Sequence, residues 1–495
     1  MATSISSTNG SLASTGSISS AGLGSGLDVN SIVTQLMAVE NRPLTLLQQT
    51  ATDLNTKLSN VGKMQSLFAT LRDKAAALSS STLWAGTTSR SSDAASVKVS
   101  TGANAASGAY AVTVNKLAVG QTVISAALPA ATSTLGQGTL TIELGSYGAG
   151  SPAADFTAKA GSSPVTIDIG SGDTSLAAIR DKINSAQAGV TAAIVTDASG
   201  ARLSLRSAAT GAENAFRISA TEASDDGSAA TGLSALAYDG TAASSTLSRS
   251  MAAGNAEATV NGISVSSASN TLDNVVDGLT LTLQKVTSTE VNVTVAADTD
   301  GVKTAVTDFV SAFNGLASFI KTQTAYNPDS KVAGALQGDQ ATLALQSQLR
   351  NVLNVASTAS GTWSKLSEIG LTVATDGTLA TDSTKLGNAL GNLGELKKLL
   401  ATDGATNADS GFARRFKNLA DVALGSDGSF NSRTSGLRTS LDRNSKSQDA
   451  MQQRLTQTES RLRKQYQSLD TKMSQLTSLS NYMTQQITKL NASNG

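Results

Sequence analysis

The stretch LTQTESRLRKQYQSLDTKMSQLTSLSNYMTQQITKL, residues 455–490, carries the clearest structural pattern in the chain. An apolar side chain stands at every seventh position without a break: Leu455, Leu462, Leu469, Leu476, Met483 and Leu490. The companion stripe is half polar, and it holds Gln452, Glu459, Tyr466, Met473, Ser480 and Ile487. This spacing predicts a long helix with a coiled-coil seam that is weak by itself and orders fully only against another helix or a larger assembly.

A second helical pattern lies near the other end of the chain. Asp28 is suited to cap a helix that carries Ile32, Val33, Leu36 and Met37 at helical spacing. Pro43 stands where one helix can end and another begin. A long helix is then predicted from Leu44 to Leu78, because apolar residues again recur every seven positions, at Leu47, Leu54, Val61 and Phe68.

Between these ends the hydrophobic period changes from that of a helix to that of a strand. Apolar residues alternate in short segments separated by Gly, Ser and Asn, which predicts half-buried strands joined by turns. The segments are 97–99, 110–114, 140–144, 165–169, 203–205, 260–265, 279–283 and 291–295, with a turn at Asn261-Gly262. One short helix, with Leu176, Ile179 and Ile183 on one face, interrupts them.

From Asp298 the helical period returns. One predicted helix has the apolar stripe Val302, Val306, Phe309, Phe313, Leu316 and Ile320. Asp339 can cap a second helix carrying Leu345 and Leu349, and Phe412 with Phe416 marks a third. We therefore expect an α+β multidomain fold, in which N- and C-terminal helices form a coiled-coil leg and a helical bundle, with an inserted β-rich head of two domains.

Composition excludes several classes of function. The 495 residues contain 37 Lys+Arg, 37 Asp+Glu, no His and no Cys. Disulfides, thiol or Ser-His-Asp catalysis and Cys/His zinc sites are therefore impossible, and no net basic charge points to nucleic acid. No run of about 18 apolar residues occurs, so we expect no membrane span. Residues 1–20 have neither a basic start nor an apolar centre, so we expect no secretory signal peptide.

Three short motifs resemble ligand sites but are better explained as structural features. Gly22, Gly24 and Gly26 lack the spacing of a phosphate loop, and we interpret them as a flexible joint after a disordered Ser/Thr/Gly-rich tail. Asp298-Thr299-Asp300-Gly301 lacks most calcium ligands and suits a helix cap, while Asp225-Asp226-Gly227 suits an exposed turn. We expect no enzyme activity, no metal and no cofactor.

Several motifs in order along the chain resemble the flagellar filament-capping protein family, also called hook-associated protein 2. They are Gly24-Ser25-Gly26-Leu27-Asp28-Val29-Asn30-Ser31-Ile32-Val33, the segment from Tyr110 to Gln121, Asn261-Gly262, Asp277-Gly278-Leu279, Ile369-Gly370-Leu371, and the run from Arg463 to Tyr482. Residues 176–218, centred on Ile183-Asn184, resemble the IN motif of flagellins and hook proteins. The resemblance covers nearly the whole chain.

The resemblance implies four regions. Residues 1–42 and 449–495 would form the terminal leg, and 43–80 with 300–448 the helical bundle domain. Residues 81–125 with 252–299 would form a β-rich domain, and 126–251 an outer β-rich inserted domain that contains the IN-type motif. The outer insert is the part that varies most in this family.

The resemblance also implies a function. A ring of identical subunits, for which we expect five, would sit at the distal tip of the bacterial flagellum, outside the cell. It would retain exported flagellin and promote its folding and insertion. Further implied partners are the hook-filament junction protein and an export chaperone for the C-terminal helix, with export by the flagellar type III apparatus. Two alternatives stay open at this point: a surface adhesin that uses the β-rich head, and flagellin or another filament junction protein.

The candidate site is therefore an interface rather than a pocket. We expect the leg and bundle helices to present it, with the two termini paired inside the chain and their outer face meeting flagellin. The candidate residues are Ile32, Leu36, Leu47, Leu54, Val61, Phe68, Leu455, Leu462, Tyr466, Leu469, Met473, Leu476, Met483, Ile487 and Leu490.

Overall fold

The computed structural model describes residues 28–102, 105–148, 155–240, 246–329 and 331–493. Two compact units make up the chain, one from residues up to Ser79 and from Lys303 onward, the other from Ser80 to Val302. The first unit is helical and the second is mainly β, which confirms the expected α+β architecture with helices at both ends. The predicted tail and glycine joint, residues 1–27, lie outside the described part.

Helices occur at both ends and through the C-terminal half. The described residues contain α1 (Val29–Glu40), α2 (Arg42–Ser79), α3 (Ser81–Trp84), α4 (Leu176–Ser185), α5 (Thr299–Thr324), α6 (Gln340–Asn354), α7 (Ser383–Leu390), α8 (Leu393–Ala401), α9 (Phe412–Leu424) and α10 (Ser429–Ser493). The last helix has 65 residues, which corresponds to a length of about 100 Å.

Strands fill the middle of the chain, with two small hairpins in the helical unit. They are β1 (Thr87–Ser91), β2 (Val97–Thr101), β3 (Gly108–Lys116), β4 (Thr122–Ile124), β5 (Gly138–Tyr147), β6 (Phe156–Ala158), β7 (Val165–Ile169), β8 (Val190–Asp197), β9 (Gly200–Ser207), β10 (Ala215–Glu222), β11 (Ser248–Met251), β12 (Ala256–Val260), β13 (Ile263–Ser267), β14 (Thr271–Val276), β15 (Leu279–Leu283), β16 (Val291–Ala297), β17 (Tyr326–Asn327), β18 (Val332–Ala333), β19 (Leu371–Val373) and β20 (Leu379–Thr381).

The helical unit is built on the packing of α2 against α9 and α10. Phe68 of α2 meets Phe430 of α10 edge to face, with ring centroids 5.1 Å apart, and both rings are fully buried. Phe416 of α9 makes similar contacts with Phe309 and Phe313 of α5. The whole predicted stripe of α5 is buried, which confirms its 3.6-residue period.

Three predicted helix caps are present. The Asp28 carboxylate accepts a hydrogen bond from the Ser31 amide at 3.0 Å, and the Asp339 carboxylate accepts one from the Thr342 amide at 3.0 Å. Asp298 accepts from the Gly301 amide at 2.8 Å, so the Asp298–Gly301 motif is a helix start, as predicted. Asp339 is buried and also pairs with Arg433 of α10, which ties the start of α6 to the last helix.

A buried arginine ties the loops around α9 together. The Arg415 guanidinium is stacked on the Phe412 ring and donates to the carbonyls of Ser410, Val355, Ala356 and Ala408. Burial lowers its pKa, and the negative charge of the nearby Asp409 opposes this shift only in part. Sequence patterns gave no indication of this role, because Arg415 reads as one polar residue on an amphipathic helix.

The β unit contains two separate hydrophobic cores. One gathers residues of β2, β3, β12, β15 and β16, such as Val97, Val112 and Val293. The other gathers residues between Val123 and Leu247, with α4 contributing Leu176, Ile179 and Ile183. The predicted short amphipathic helix is thus confirmed, and the β-rich insert does have two cores.

All strand pairs in the β unit are antiparallel. The first core lies between a sheet of order β1-β16-β3-β12-β13 and a sheet of order β14-β15-β2. The second is formed by a sheet β10-β5-β6, in which β7 also pairs with β5, and a sheet β11-β4-β9-β8. Asn261 and Gly262 have φ of 47° and 81°, which is the backbone that a two-residue type I′ hairpin turn requires.

Seven predicted strand segments fall within observed strands, and the eighth, 260–265, spans the predicted turn between β12 and β13. Several other elements have no clear pattern in the sequence. β1 has the sequence TTSRS and lies at a sheet edge, where hydrogen bonding alone defines the strand. α7 and α8 have eight and nine residues, which is too short for a convincing period. α2 begins at Arg42, so Pro43 lies within its first turn, where a missing N–H costs nothing.

Replacing Phe68 by Ala should destabilise the helical unit by about 3–5 kcal/mol, because it leaves a cavity against Phe430. The measurement is urea unfolding of the full chain followed by circular dichroism at 222 nm. Leu46→Ala is the matched control: Leu46 lies on the same helix but is 62% exposed, so its effect should stay within about 0.5 kcal/mol. Equal effects of the two substitutions would contradict the assignment of Phe68 as the core of the α2–α10 contact.

Candidate assembly interface on the terminal helices

The two ends of the chain pair as antiparallel helices. Phe68 lies against Phe430, the Gln448 amide donates to the Leu47 carbonyl at 3.4 Å, and Arg463 donates to Asn30 at 3.0 Å. Residue numbers thus fall along α2 and α1 as they rise along α10. The expected pairing of both termini within one chain is present from residue 430 to residue 466.

α1 binds α10 through one apolar face. Val29, Val33 and Met37 are buried together with Leu455, and Leu44, Met451, Leu462 and Tyr466 pack around them. A groove of about 360 Å³ follows this contact between the two helices. α1 is therefore held by a small cluster rather than by a large core.

A polar position in the seam is compensated locally. Glu459 stands where a continuous coiled coil would have an apolar residue, and its carboxylate accepts from Arg463 at 2.8 Å. The same guanidinium reaches Asn30 of α1. Since both charged groups are about two-fifths exposed, this pair adds orientation more than stability.

The structure places the candidate residues in three groups. Val61, Phe68 and Leu455 are buried inside the chain, and Ile32, Leu47, Leu54, Leu462 and Tyr466 are half-buried. The exposed group is Leu36, Leu469, Met473, Leu476, Met483, Ile487 and Leu490. Apart from Ile32, the first two groups line the intrachain pairing, and the third faces solvent.

α1 has two apolar faces, and the sequence did not separate them. The face toward α10 consists of Val29, Val33 and Met37, and none of these three was among the candidate interface residues. Ile32, Leu36 and Val39 lie on the other side, and Val39 is 57% exposed. Both sets have helical spacing, so only the position of α10 decides which is buried.

The C-terminal part of α10 presents a continuous exposed apolar stripe. Leu476 and Met483 are 59% and 54% exposed, and Leu479 and Tyr482 widen the stripe beyond the seven-residue repeat. Within the described residues, no other helix packs along α10 beyond Tyr466. An exposed stripe of this length in one chain is typical of a surface that binds another protein.

Family comparison assigns the chain. Residues 25–121 match the flagellar hook-associated protein 2 N-terminus, 253–478 match the flagellar hook-associated protein 2 C-terminus, and 155–209 match the flagellin hook IN motif. Flagellar hook-associated protein 2 of Escherichia coli (strain K12) is 32% identical over 483 residues, which cover 95% of this chain and 98% of that protein. The chain belongs to the flagellar hook-associated protein 2 family.

Other relatives agree with this assignment. The B-type flagellar hook-associated protein 2 of Pseudomonas aeruginosa PAO1 is 32% identical over 93% of this chain and 95% of its own length. Among solved structures, the D1-D2-D3 domains of the flagellar cap protein FliD from Escherichia coli align with a TM-score of 0.57 and 31% identity. That alignment covers 77% of this chain and 99% of the other, so the predicted family is confirmed.

Other features in the described residues do not compete with this interface. Glu222, Asp225 and Asp226 bring three carboxylates within 4.8 Å of one another. Each already accepts a backbone N–H, from Ser234, Gly227 and Ser228 respectively, so the predicted turn at Asp225–Gly227 accounts for them. None of the described helices is long and apolar enough to span a bilayer.

Val33→Asp should release α1 from α10, because it places a charge in the buried cluster at a position that is 1% exposed. Hydrogen exchange measured by mass spectrometry should show α1 amides exchanging about ten times faster or more. Val39→Asp is the control on the exposed face of the same helix and should leave the exchange rates nearly unchanged. Similar rates in both variants would mean that α1 is not held by this cluster.

Residues 469–490 should exchange faster than residues 430–455 in the isolated subunit. The reason is that the apolar stripe of this segment has no helix packed along it, so local opening exposes little additional surface. The same hydrogen-exchange experiment on the unmodified chain measures both segments at once. Uniform protection along the whole of α10 would show that the free helix is stable by itself.

Proposed function

We propose that this protein is a filament cap at the distal tip of the bacterial flagellum. In this proposal it forms a homo-oligomeric ring that retains exported flagellin and promotes its folding and insertion during elongation. The relatives that support it are hook-associated proteins and a flagellar cap protein, and none of them is named as an enzyme.

The observation that carries the proposal is the change along the seam of α10. Up to Tyr466 the seam packs against α1 and α2, and from Leu469 the same heptad register continues with its apolar side chains in solvent. A seam whose heptad register continues past its intrachain partner helix is suited to packing against a helix of another molecule. The filament end is the partner that fits a cap.

A polar position in the exposed stripe fits repeated detachment. Ser480 interrupts the companion stripe beyond Tyr466, so the contact buries less apolar surface than an unbroken Leu/Ile seam would. Burying a single Leu contributes about 1.5–3 kcal/mol, so one missing apolar position weakens binding by about that amount for each helix. A cap that moves as each flagellin is inserted needs a contact of this limited strength.

The remaining assignments belong to the same proposal. We propose a ring of five subunits, with the leg formed by 1–42 and 449–495, the bundle by 43–80 and 300–448, and the two β domains by 81–125 with 252–299 and by 126–251. The partners are flagellin, the hook-filament junction protein and an export chaperone that binds the C-terminal helix. The location is extracellular, after export by the flagellar type III apparatus.

The adhesin alternative gains no support from the relatives, whose names refer to the flagellum. The alternative of flagellin or another filament junction protein is disfavoured because the matches to the N- and C-terminal family models lie at both ends of the chain. The experiment below still separates a cap from an adhesin.

Deletion of the gene should give cells with bare hooks and monomeric flagellin in the medium, as counted by electron microscopy and measured by immunoblot. Complementation with Leu476→Asp/Met483→Asp should fail, because two charges in the exposed stripe abolish its apolar contact. Thr477→Asp/Thr484→Asp adds the same charges beside the stripe on the polar side and should restore filaments. We expect flagellin release to differ at least about tenfold between the two variants, equivalent to about 1.4 kcal/mol in binding.

Normal filaments with little release in the deletion strain would overturn the cap proposal and favour the adhesin. Failure of both double variants would instead separate the two claims: the cap role would stand, and the stripe would lose its special role. Circular dichroism of the purified variants checks that α10 remains helical.

A further inference from the structure

A side-chain amide of the helix α4 takes the place of a neighbouring strand at the edge of a sheet. The Asn184 Nδ2 group donates to the Ala192 carbonyl at 2.9 Å, and the Ala192 amide donates to Asn184 Oδ1 at 2.8 Å. Both backbone groups of one strand residue are thus satisfied by one side chain. An asparagine amide can do this because it carries a donor and an acceptor, as a peptide group does.

Ala192 lies on β8, which is the terminal strand of the sheet β11-β4-β9-β8. Because its N–H and C=O are directed to Asn184, they point away from β9. In an antiparallel ladder the direction alternates with each residue, so Val190, Ile194 and Thr196 also point their backbone groups outward. Among the described residues, no strand pairs with this side of β8.

We call the Asn184–Ala192 contact the clasp. Beyond it, the free edge of β8 has little of the usual protection against pairing with another strand. From Val190 to Thr196 the strand reads VTAAIVT, with neither charge nor proline, and Val195 is 54% exposed. Asp197 follows only at the hairpin end, where it receives hydrogen bonds from Ser199 and Arg202. Natural sheets commonly protect such edges with Lys, Pro, a bulge or a covering segment.

We propose that the Asn184–Ala192 clasp closes the edge of β8 against strand pairing with a second copy of this chain. The clasp interrupts the row of outward groups at Ala192, so Val190 is cut off on one side and only Ile194 and Thr196 remain next to each other in the row. Two residues offer too few hydrogen bonds for a stable added strand. The clasp therefore acts as a blocking contact that keeps the outer β core from associating edge to edge.

A second copy is the occupant that the open edge fits. An antiparallel pair of β8 strands about a two-fold axis at Ile194 matches Ala192 with Thr196 of the partner, and Ile194 with itself. The outward positions Ala192, Ile194 and Thr196 are then used, and the segment VTAAIVT meets itself with no like charges opposed. The pairing becomes available once Ala192 is free.

Two further asparagines also bind both backbone groups of another residue through their side-chain amides. Asn270 binds both backbone groups of Ala118, at 2.7 and 2.9 Å, and Asn314 binds both of Leu379, at 2.6 and 2.9 Å. These two clasps join distant segments inside the fold. The Asn184 clasp differs because its strand, β8, continues past the clasp as an unpaired edge, where Val195 is 54% exposed.

The test is hydrogen exchange of full-length Asn184→Ala at increasing protein concentration, resolved to the amides of β8. We expect Ile194 and Thr196 to exchange about ten times more slowly at a concentration ten times the dissociation constant of the new contact. In the unmodified chain their exchange should not depend on concentration. Ring formation through other surfaces would not protect these two amides.

Three variants complete the design. Asn184→Gln, whose amide is one methylene too long, should behave like Asn184→Ala and provides a folded substitute if the alanine variant does not fold. Asn184→Asp loses the donor but adds a charge at the edge, so it should stay unprotected. Adding Thr196→Pro to Asn184→Ala should abolish the protection, because proline removes an outward N–H that the β8–β9 ladder does not use. Exchange independent of concentration in both the Ala and Gln variants would overturn the proposal.

Discussion

The packing of α2 against α10 is the contact on which the rest of the structure depends. It joins two segments from opposite ends of the chain, and the buried pair Phe68–Phe430 lies at its base. Apart from α1, which precedes α2, all the other described helices and strands lie between α2 and α10 in the sequence. The α+β organisation follows, because a chain whose ends pair as helices must form its strands in an internal segment. α1 then adds to the same contact, on the part of α10 that α2 has left uncovered.

Burial along this pairing is greatest at its base, is restored at the α1 cluster and is lost beyond Tyr466. Val61 and Phe68 are fully enclosed, Leu47, Leu54, Leu462 and Tyr466 are half-covered, and the stripe from Leu469 onward is in solvent. Local stability follows buried apolar area, so the same helix is rigid at its base and free to bind at its end. Such a gradient links the fold to the proposed function, since a cap has to be held together by one part of its helices and attach to the filament by another.

Where apolar packing is thin, polar groups specify the arrangement. The chain has no cysteine, and its strands are rich in small residues, so long-range links come from side chains that bind backbone groups. Asn270 and Asn314 each satisfy an N–H and a C=O of one distant residue, Asn184 does the same for Ala192 eight residues away, and Arg415 satisfies four carbonyls. Each of these contacts is lost if its side chain is truncated, and an unpaired buried backbone group then costs about 1–3 kcal/mol.

The sequence by itself determined the elements with a strong period and the family of the chain. Heptads, the α5 stripe, the alternating strands and the caps at Asp28, Asp298 and Asp339 all depend on local spacing, and local spacing is visible in one dimension. Only the tertiary structure decided which of two equally spaced faces of α1 is buried. It also decided that α10 extends past its helix partners beyond Tyr466, and that the Arg415 and Asn184 side chains bind backbone groups. The physical reason is that the burial and the hydrogen-bond partners of a residue depend on which other part of the chain packs against it. Residue spacing along the sequence does not specify that part.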